Sequence, residues 1–192
     1  MKIGGMAARI AQLLRLTREP PAALPERPLP NSYWVIAGTL LAGEHPGART
    51  EAEARDRIAR LCADGIDSFV DLTEEFEAPD YRSSLPGHCA YLRCPIVDCA
   101  VPADPAQMHD LLRYVRRELA AGRRIYIHCR AGIGRTGLVV GCWLVGEGLD
   151  GAAALKRLNQ LWRQSARSKT WREVPQTHQQ GAYILGWHER RE

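Results

Sequence analysis

Two periods of hydrophobic placement alternate along the chain, one of about two residues and one of three to four, and together they divide it into strands and helices. From Tyr33, YWVIAG and TLLAG read as short strands, and IDSFVDLT (66–73), AYLRCPI (90–96) and RIYIHC (124–129) as three more. Helical spacing first shows in Ala54, Ile58, Leu61 and Cys62, behind a capping box of Thr50 and Glu53 and ahead of a stop at Gly65. A clearer helix opens with Asp104 as N-cap, Pro105 at the first helical position and Gln107 at the capping-box position. It places Met108, Leu111, Leu112, Val115 and Leu119 on one face and ends at Gly122. Further helices are predicted at 135–147, 151–164 and 177–189.

Strand, helix, strand over 90–129 implies a right-handed crossover, so the strands are parallel and their C-terminal ends emerge at one edge of the sheet. Ligands bind at that edge in open α/β sheets. The expected fold class is α/β: a single domain with a central, mainly parallel sheet flanked by helices and a helical C-terminal third. A length of 192 residues and a hydrophobic content of 45% suit that size of core. Residues 1–30 read as a flexible arm, and 31–192 as the folded domain. Ile10, Leu13 and Leu14 could share a helical face, but Pro20, Pro21, Pro25, Pro28 and Pro30 forbid regular helix after them. The arm is either a frayed terminus packed on the domain or a weak membrane or partner anchor.

Charge and cysteines narrow the chemistry. The net charge of +4 is dispersed, which argues against nucleic acid as a partner but leaves room for a small anion. The longest apolar run, Leu138 to Val145, falls far short of the ~20 residues of a membrane span, so no stable membrane insertion is expected. Six cysteines lack CxxC or CxxH spacing, which speaks against zinc. With no secretory signal in evidence, reduced thiols in a cytoplasmic protein, and a monomer, are the expectation.

HCRAGIGRTG (128–137) carries two rival patterns. Gly132, Gly134 and Gly137 spell GxGxxG, but a dinucleotide site needs a second strand ending in an acid about 20 residues on, and here LVVGCWLVGEGLDGAAALKRLNQLW continues as helix. A nucleotide-triphosphate loop fails for want of its lysine. The alternative, a cysteine followed six positions later by arginine, uses every residue. Five residues between Cys129 and Arg135 let the backbone of Arg130, Ala131, Gly132, Ile133 and Gly134 curl so that successive amides face one anion. The N-terminus of the following helix adds partial positive charge, which favours an anionic sulfur. Arg135 offers a planar fork for two phosphate oxygens. Thr136 can donate its hydroxyl to the sulfur as it leaves, and His128 orients the loop by hydrogen bonding.

This stretch resembles the signature HCxxGxxR[ST]G of the protein tyrosine phosphatase superfamily, cysteine-dependent phosphatases that include a dual-specificity branch. The resemblance covers roughly residues 31–190. PIVDCAVP (95–102) is similar to the family's general-acid loop and implies Asp98 as the acid, with Ile96 and Val97 in place of the usual tryptophan and proline. VPQTHQQ (174–180) is similar to the PETxxQ segment of small bacterial members, which implies Gln180, or the adjacent Gln179, as the residue that positions water. A KNRY-like tyrosine element is missing. The chemistry also asks for an acid opposite the nucleophile, and Asp98, read as ending a strand at the same edge as Cys129, fits better than Asp71, Asp80 or the helix cap Asp104.

The expected activity is metal-free hydrolysis of phosphotyrosine, and of phosphoserine or phosphothreonine, in proteins through a phosphocysteine, with no cofactor. Phosphoinositides are an alternative substrate: Arg130 suits a highly anionic target, whereas Ile133 stands where lipid-directed relatives often carry lysine. A phosphate-binding protein without turnover, and a thiol reductase using Cys94 or Cys99 as resolving cysteine, are rivals from other classes. Residues 74–89 are expected to rim the pocket, with Tyr81 as a stacking wall or a loop-packing residue.

Overall fold

The computed structural model describes residues 24–188, so the amphipathic stretch around Ile10 lies outside the described residues. Five strands form one sheet in the order β1-β2-β5-β3-β4. These are β1 (Ser32–Ile36), β2 (Leu40–Gly43), β3 (Ser68–Asp71), β4 (Ala90–Arg93) and β5 (Ile125–His128). β1 and β2 make an antiparallel hairpin, and β2, β5, β3 and β4 run parallel. The helices are α1 (Glu51–Ala63), α2 (Pro105–Ala120), α3 (Gly134–Gly146), α4 (Gly151–Trp162) and α5 (His178–Leu185).

Local chemistry sets these boundaries. Thr50 and Glu53 close the expected capping box on α1, and the Asp104 carboxylate accepts from the Ala106 amide with Pro105 at the start of α2. The strands are shorter than the apolar runs suggest: β4 ends at Arg93, and beyond it only the Cys94 and Ile96 amides still donate back, to Asp71 O (2.8 Å) and Leu72 O (3.1 Å).

Side chains alternate between two cores, as a pleated sheet requires. Trp34, Leu41, Phe69 and Tyr126 face α1, where Ile58 and Leu61 cover them. Val35, Leu40, Ala42, Val70, Ile125 and Ile127 face α2 and α3, which bring Met108, Leu112, Val115, Leu138 and Val139. α3 is buried on nearly every side, between the sheet and α4 and α5, which accounts for its almost continuous apolar sequence. At Gly141 a Cβ would stand 2.3 Å from Ile184 Cδ1, so this glycine is what lets α5 lie against α3.

The boundary expected at residue 31 moves upstream. Leu29 is fully buried, the Trp34 indole donates to Pro25 O (3.2 Å), and the Ala166 amide donates to Pro30 O (2.9 Å). The end of the proline-rich segment is therefore part of the packed domain.

Candidate active site

β5 delivers His128 and Cys129 at the C-terminal edge of the sheet, and the chain turns at once into α3, so loop 129–135 sits between a strand end and a helix start. Cys129 is 3% exposed and Arg135 1%. Gly132 takes φ +75°, and its Cα lies against β2 so closely that a Cβ would fall 2.5 Å from Gly43 C. Glycine satisfies both demands and any other residue fails at least the second. A loop that runs straight into the N-terminus of α3 can offer its amides and the first turn of that helix to an anion.

Arg135 is fixed from outside its own loop. Its Nη1 and Nη2 donate to Glu77 Oε2 and Oε1 at 2.6 and 2.5 Å, a bidentate pair, and Nη1 also reaches Ile96 O at 3.1 Å. Asp98 Oδ1 lies 2.9 Å from Nη2. Among the described residues, Nε has no hydrogen-bond partner, which leaves it as a donor toward an oxyanion. The Arg135 hydrogen bonds hold the Glu77 carboxyl below its ordinary range. Burial weakens the arginine cation, but the Glu77 bonds together with the nearby Cys129 and Asp98 outweigh it, and its pKa lies above the usual arginine value. Glu77 is a residue that the sequence reading did not single out.

Behind the loop lies a buried polar wall. Tyr81 Oη and His128 Nε2 share a hydrogen bond of 2.6 Å, while His128 Nδ1 stands 3.8 Å from Asp71 Oδ1, beyond hydrogen-bond range. Asp71 accepts from the Thr73 amide (2.9 Å), the Thr73 hydroxyl (2.6 Å), the Tyr91 hydroxyl (2.8 Å) and Arg93 (3.2 Å). Burial pushes the His128 imidazole down to about 3, against the pull of Asp71, so the ring is neutral. Burial alone would raise the Asp71 carboxyl, but His128, Thr73 and Tyr91 outweigh it and bring it to about 2. Asp71 is thus a structural hub, and Tyr81, 1% exposed, is a buried partner of His128 rather than a pocket wall.

One expectation needs correction, and two further side chains have partners that the sequence did not show. Asp98 does not end a strand: it follows the last residue of β4 by five positions, in a turn, with its side chain 59% exposed. Thr136 is fully buried, and its hydroxyl is turned onto Gly43 O (3.4 Å). Gln180 is fully buried. Its Oε1 accepts from the Thr177 amide (3.2 Å), closing the capping box of α5, and its Nε2 donates to Ala100 O (3.0 Å) in the segment carrying Asp98. Gln180 therefore anchors that segment. Gln176, which is exposed, reaches the loop alongside Gln180: a Cβ on Gly134 would come within 3.0 Å of the Oε1 of each. The Gln176 Nε2 contacts Cys99 Sγ at 3.2 Å.

None of the six cysteines is in a disulfide. Groups of His, Cys, Asp or Glu suited to holding a metal are not found among the described residues, and no helix among them is long and apolar enough to cross a membrane.

Comparison with known proteins places this geometry in a family. A putative tyrosine phosphatase, 067L, of Invertebrate iridescent virus 3 is 36% identical over 94 residues, covering 46% of this chain and 38% of the viral protein. The chain thus spans well under half the length of that curated relative. The crystal structure of Tk-PTP in the active form superposes with a TM-score of 0.66 at 24% identity, covering 85% of this chain and 99% of that one. P. aeruginosa TpbA in complex with pTyr gives 0.62 at 22% identity, covering 88% of this chain and 91% of that one. These two establish a shared fold. The family described as "Tc-R-P: Polymorphic toxin system, DSP-PTPase phosphatase" matches residues 43–149, more than half of the chain. With that match running from the last residue of β2 through loop 129–135 and α3, the chain belongs to the DSP-PTPase phosphatases of polymorphic toxin systems.

Proposed function

We propose that this protein is a cysteine-dependent phosphomonoesterase acting on phosphotyrosine, and on phosphoserine or phosphothreonine, in proteins. The observation that carries the reading is the buried Arg135 guanidinium, held by Glu77 at the end of the loop that Cys129 begins, with Asp98 2.9 Å from its fork.

In the first step the Cys129 thiolate attacks phosphorus, the ester P–O bond breaks, and Asp98 gives its proton to the departing oxygen. The amides and Arg135 stabilise the charge on the three remaining oxygens, which is where phosphoryl transfer concentrates its demand. Asp98 now lies against Arg135, so the incoming phosphate must take that edge of the guanidinium and release the carboxyl toward the leaving group. In the second step Asp98, now a carboxylate, takes a proton from water as the water oxygen attacks phosphorus. The S–P bond breaks, inorganic phosphate leaves and the thiolate is restored. We assign the positioning of that water to Gln176, the more exposed of the two glutamines whose Oε1 would lie 3.0 Å from a Cβ on Gly134.

An aromatic ester suits the rim. Phe76 is 93% exposed beside Glu77, and Val97 60% exposed beside Asp98, so two apolar side chains flank the carboxylates that grip Arg135. The similarity to TpbA, whose structure holds pTyr, supports the same substrate class. Hydrolysis of p-nitrophenyl phosphate that survives EDTA and is blocked by vanadate is the expected result. Loss in EDTA that magnesium or zinc restores would overturn the mechanism.

A further inference from the structure

A loop that binds an anion through its amides must turn its carbonyls outward, because a trans peptide presents N–H and C=O on opposite sides. Something has to hold those carbonyls. In loop 129–135, Arg130 O accepts from the His45 amide (3.1 Å), and Ala131 O accepts from Arg167 Nη1 (2.7 Å). The second of these bonds governs the peptide whose N–H belongs to Gly132.

Arg167 lies in the short 3-10 turn Ala166–Lys169, remote in sequence from the loop. Its Nη2 is held 2.9 Å from Glu44 Oε2. Glu44 is fixed in turn: Oε1 accepts from Arg57 (2.5 Å), Oε2 from Asn31 Nδ2 (2.9 Å), and its carbonyl from the Tyr126 hydroxyl (2.6 Å). The side chains of Arg167 and Glu44 are 29% and 13% exposed, so this pair is shielded from the solvent screening that weakens surface ion pairs.

We propose that Arg167, braced by Glu44, is the positioning residue of the phosphate loop: it pins the Ala131 carbonyl outward and so keeps the Gly132 amide aimed at the anion. The inference rests on the oxyanion-binding reading above. The strut acts where the loop's own sequence is least stiff. Glycine at 132 accepts either sign of φ, so the Ala131–Gly132 peptide, once released, can turn its carbonyl toward the anion and replace an attractive dipole with a repulsive one.

The test measures binding of inorganic phosphate by calorimetry to the full chain carrying Cys129→Ser, with and without Arg167→Ala. It is read beside the thermal midpoint of each protein and the p-nitrophenyl phosphate kinetics of the matching Cys129 proteins. Phosphate affinity and kcat/KM are both expected to fall about 10- to 100-fold, no more than the loss of an oxyanion donor costs, with the fold intact. Arg167→Lys, which keeps the charge but cannot fork, should fall between. Glu44→Gln should weaken binding alone, yet add less than about twofold to Arg167→Ala, because the two act through one strut. A folded Arg167→Ala protein that binds phosphate within about twofold of its parent overturns the proposal. Should that variant fail to fold, Arg167→Lys and Glu44→Gln carry the test on the same criterion. Absence of phosphate binding in Cys129→Ser itself would instead overturn the oxyanion reading.

Discussion

Loop 129–135 and segment 94–101 meet at Arg135, yet they are built on opposite principles. Every side of the loop is gripped: Gly132 is wedged on β2, Ala131 O is held by Arg167, and Arg135 by Glu77 and Ile96 O. Segment 94–101 is anchored at its start, where the Cys94 and Ile96 amides donate to Asp71 O and Leu72 O, but leaves Val97, Asp98 and Cys99 exposed, with its far end held by Thr177 on Cys99 O and Gln180 on Ala100 O. Cys99 adopts φ +61°, an uncommon conformation for a residue with a Cβ. The contrast follows the chemistry. Transition-state charge is best stabilised by dipoles that need not reorganise, whereas an acid that serves as proton donor and then as proton acceptor has to move with the leaving group and the water.

Substitutions on the two sides should therefore differ in kind. Cys129→Ser should lower kcat by roughly 10⁴ or more on every substrate, since it removes the nucleophile itself, while phosphate binding persists. Asp98→Asn should instead discriminate, costing about 10² to 10⁴ on phosphotyrosine or alkyl phosphates and far less on esters of acidic phenols, which leave unaided. A series of aryl phosphates checks this, and uniform slowing would make Asp98 structural. Glu77→Gln should behave like a loop substitution, lowering kcat/KM about 10- to 100-fold, by analogy with outer-shell partners of metal ligands, regardless of leaving group. Dependence on the leaving group would move Glu77 to the acid's side of the comparison.

Acid should expose the polar wall behind the loop. His128 is held neutral down to about 3, against an ordinary value of 6.5, so the unfolded chain takes up a proton that the folded one refuses. Its stabilising contribution is complete above pH 6.5 and is lost as pH falls toward 3. Asp71, lowered from 3.8 to about 2, adds a loss only below about pH 4. Urea unfolding between pH 6.5 and 4 should show stability falling, and His128→Asn should reduce the slope by up to about 1.4 kcal/mol per pH unit, one proton's worth. An unchanged slope would mean the ring is protonated in the fold.

What the sequence revealed follows the same division. Cys129 and Arg135 are legible because the cradle is local, seven residues between a strand and a helix. Glu77 and Arg167 are not, because they reach the loop across 58 and 36 residues, and TEEFE offers three carboxylates with nothing to choose among them. Gln180 has a second role visible in THQQ: Thr177 and Gln180 have the spacing of a capping box, and the glutamine that closes it also holds Ala100 O. The strands were readable from their apolar runs, but their ends were not, since Cys94 and Ile96 still donate to Asp71 O and Leu72 O without extending β4.

The central claim, a covalent step at Cys129 inside a fixed cradle, is tested most directly by acid quenching during turnover of an aryl phosphate, with mass analysis of the peptide spanning 129–135. The account predicts one phosphoryl group on Cys129, absent from Cys129→Ser and accumulating when breakdown is slowed in Gln176→Ala. Steady turnover by the Cys129→Ser protein, or phosphate found on another residue, would contradict it.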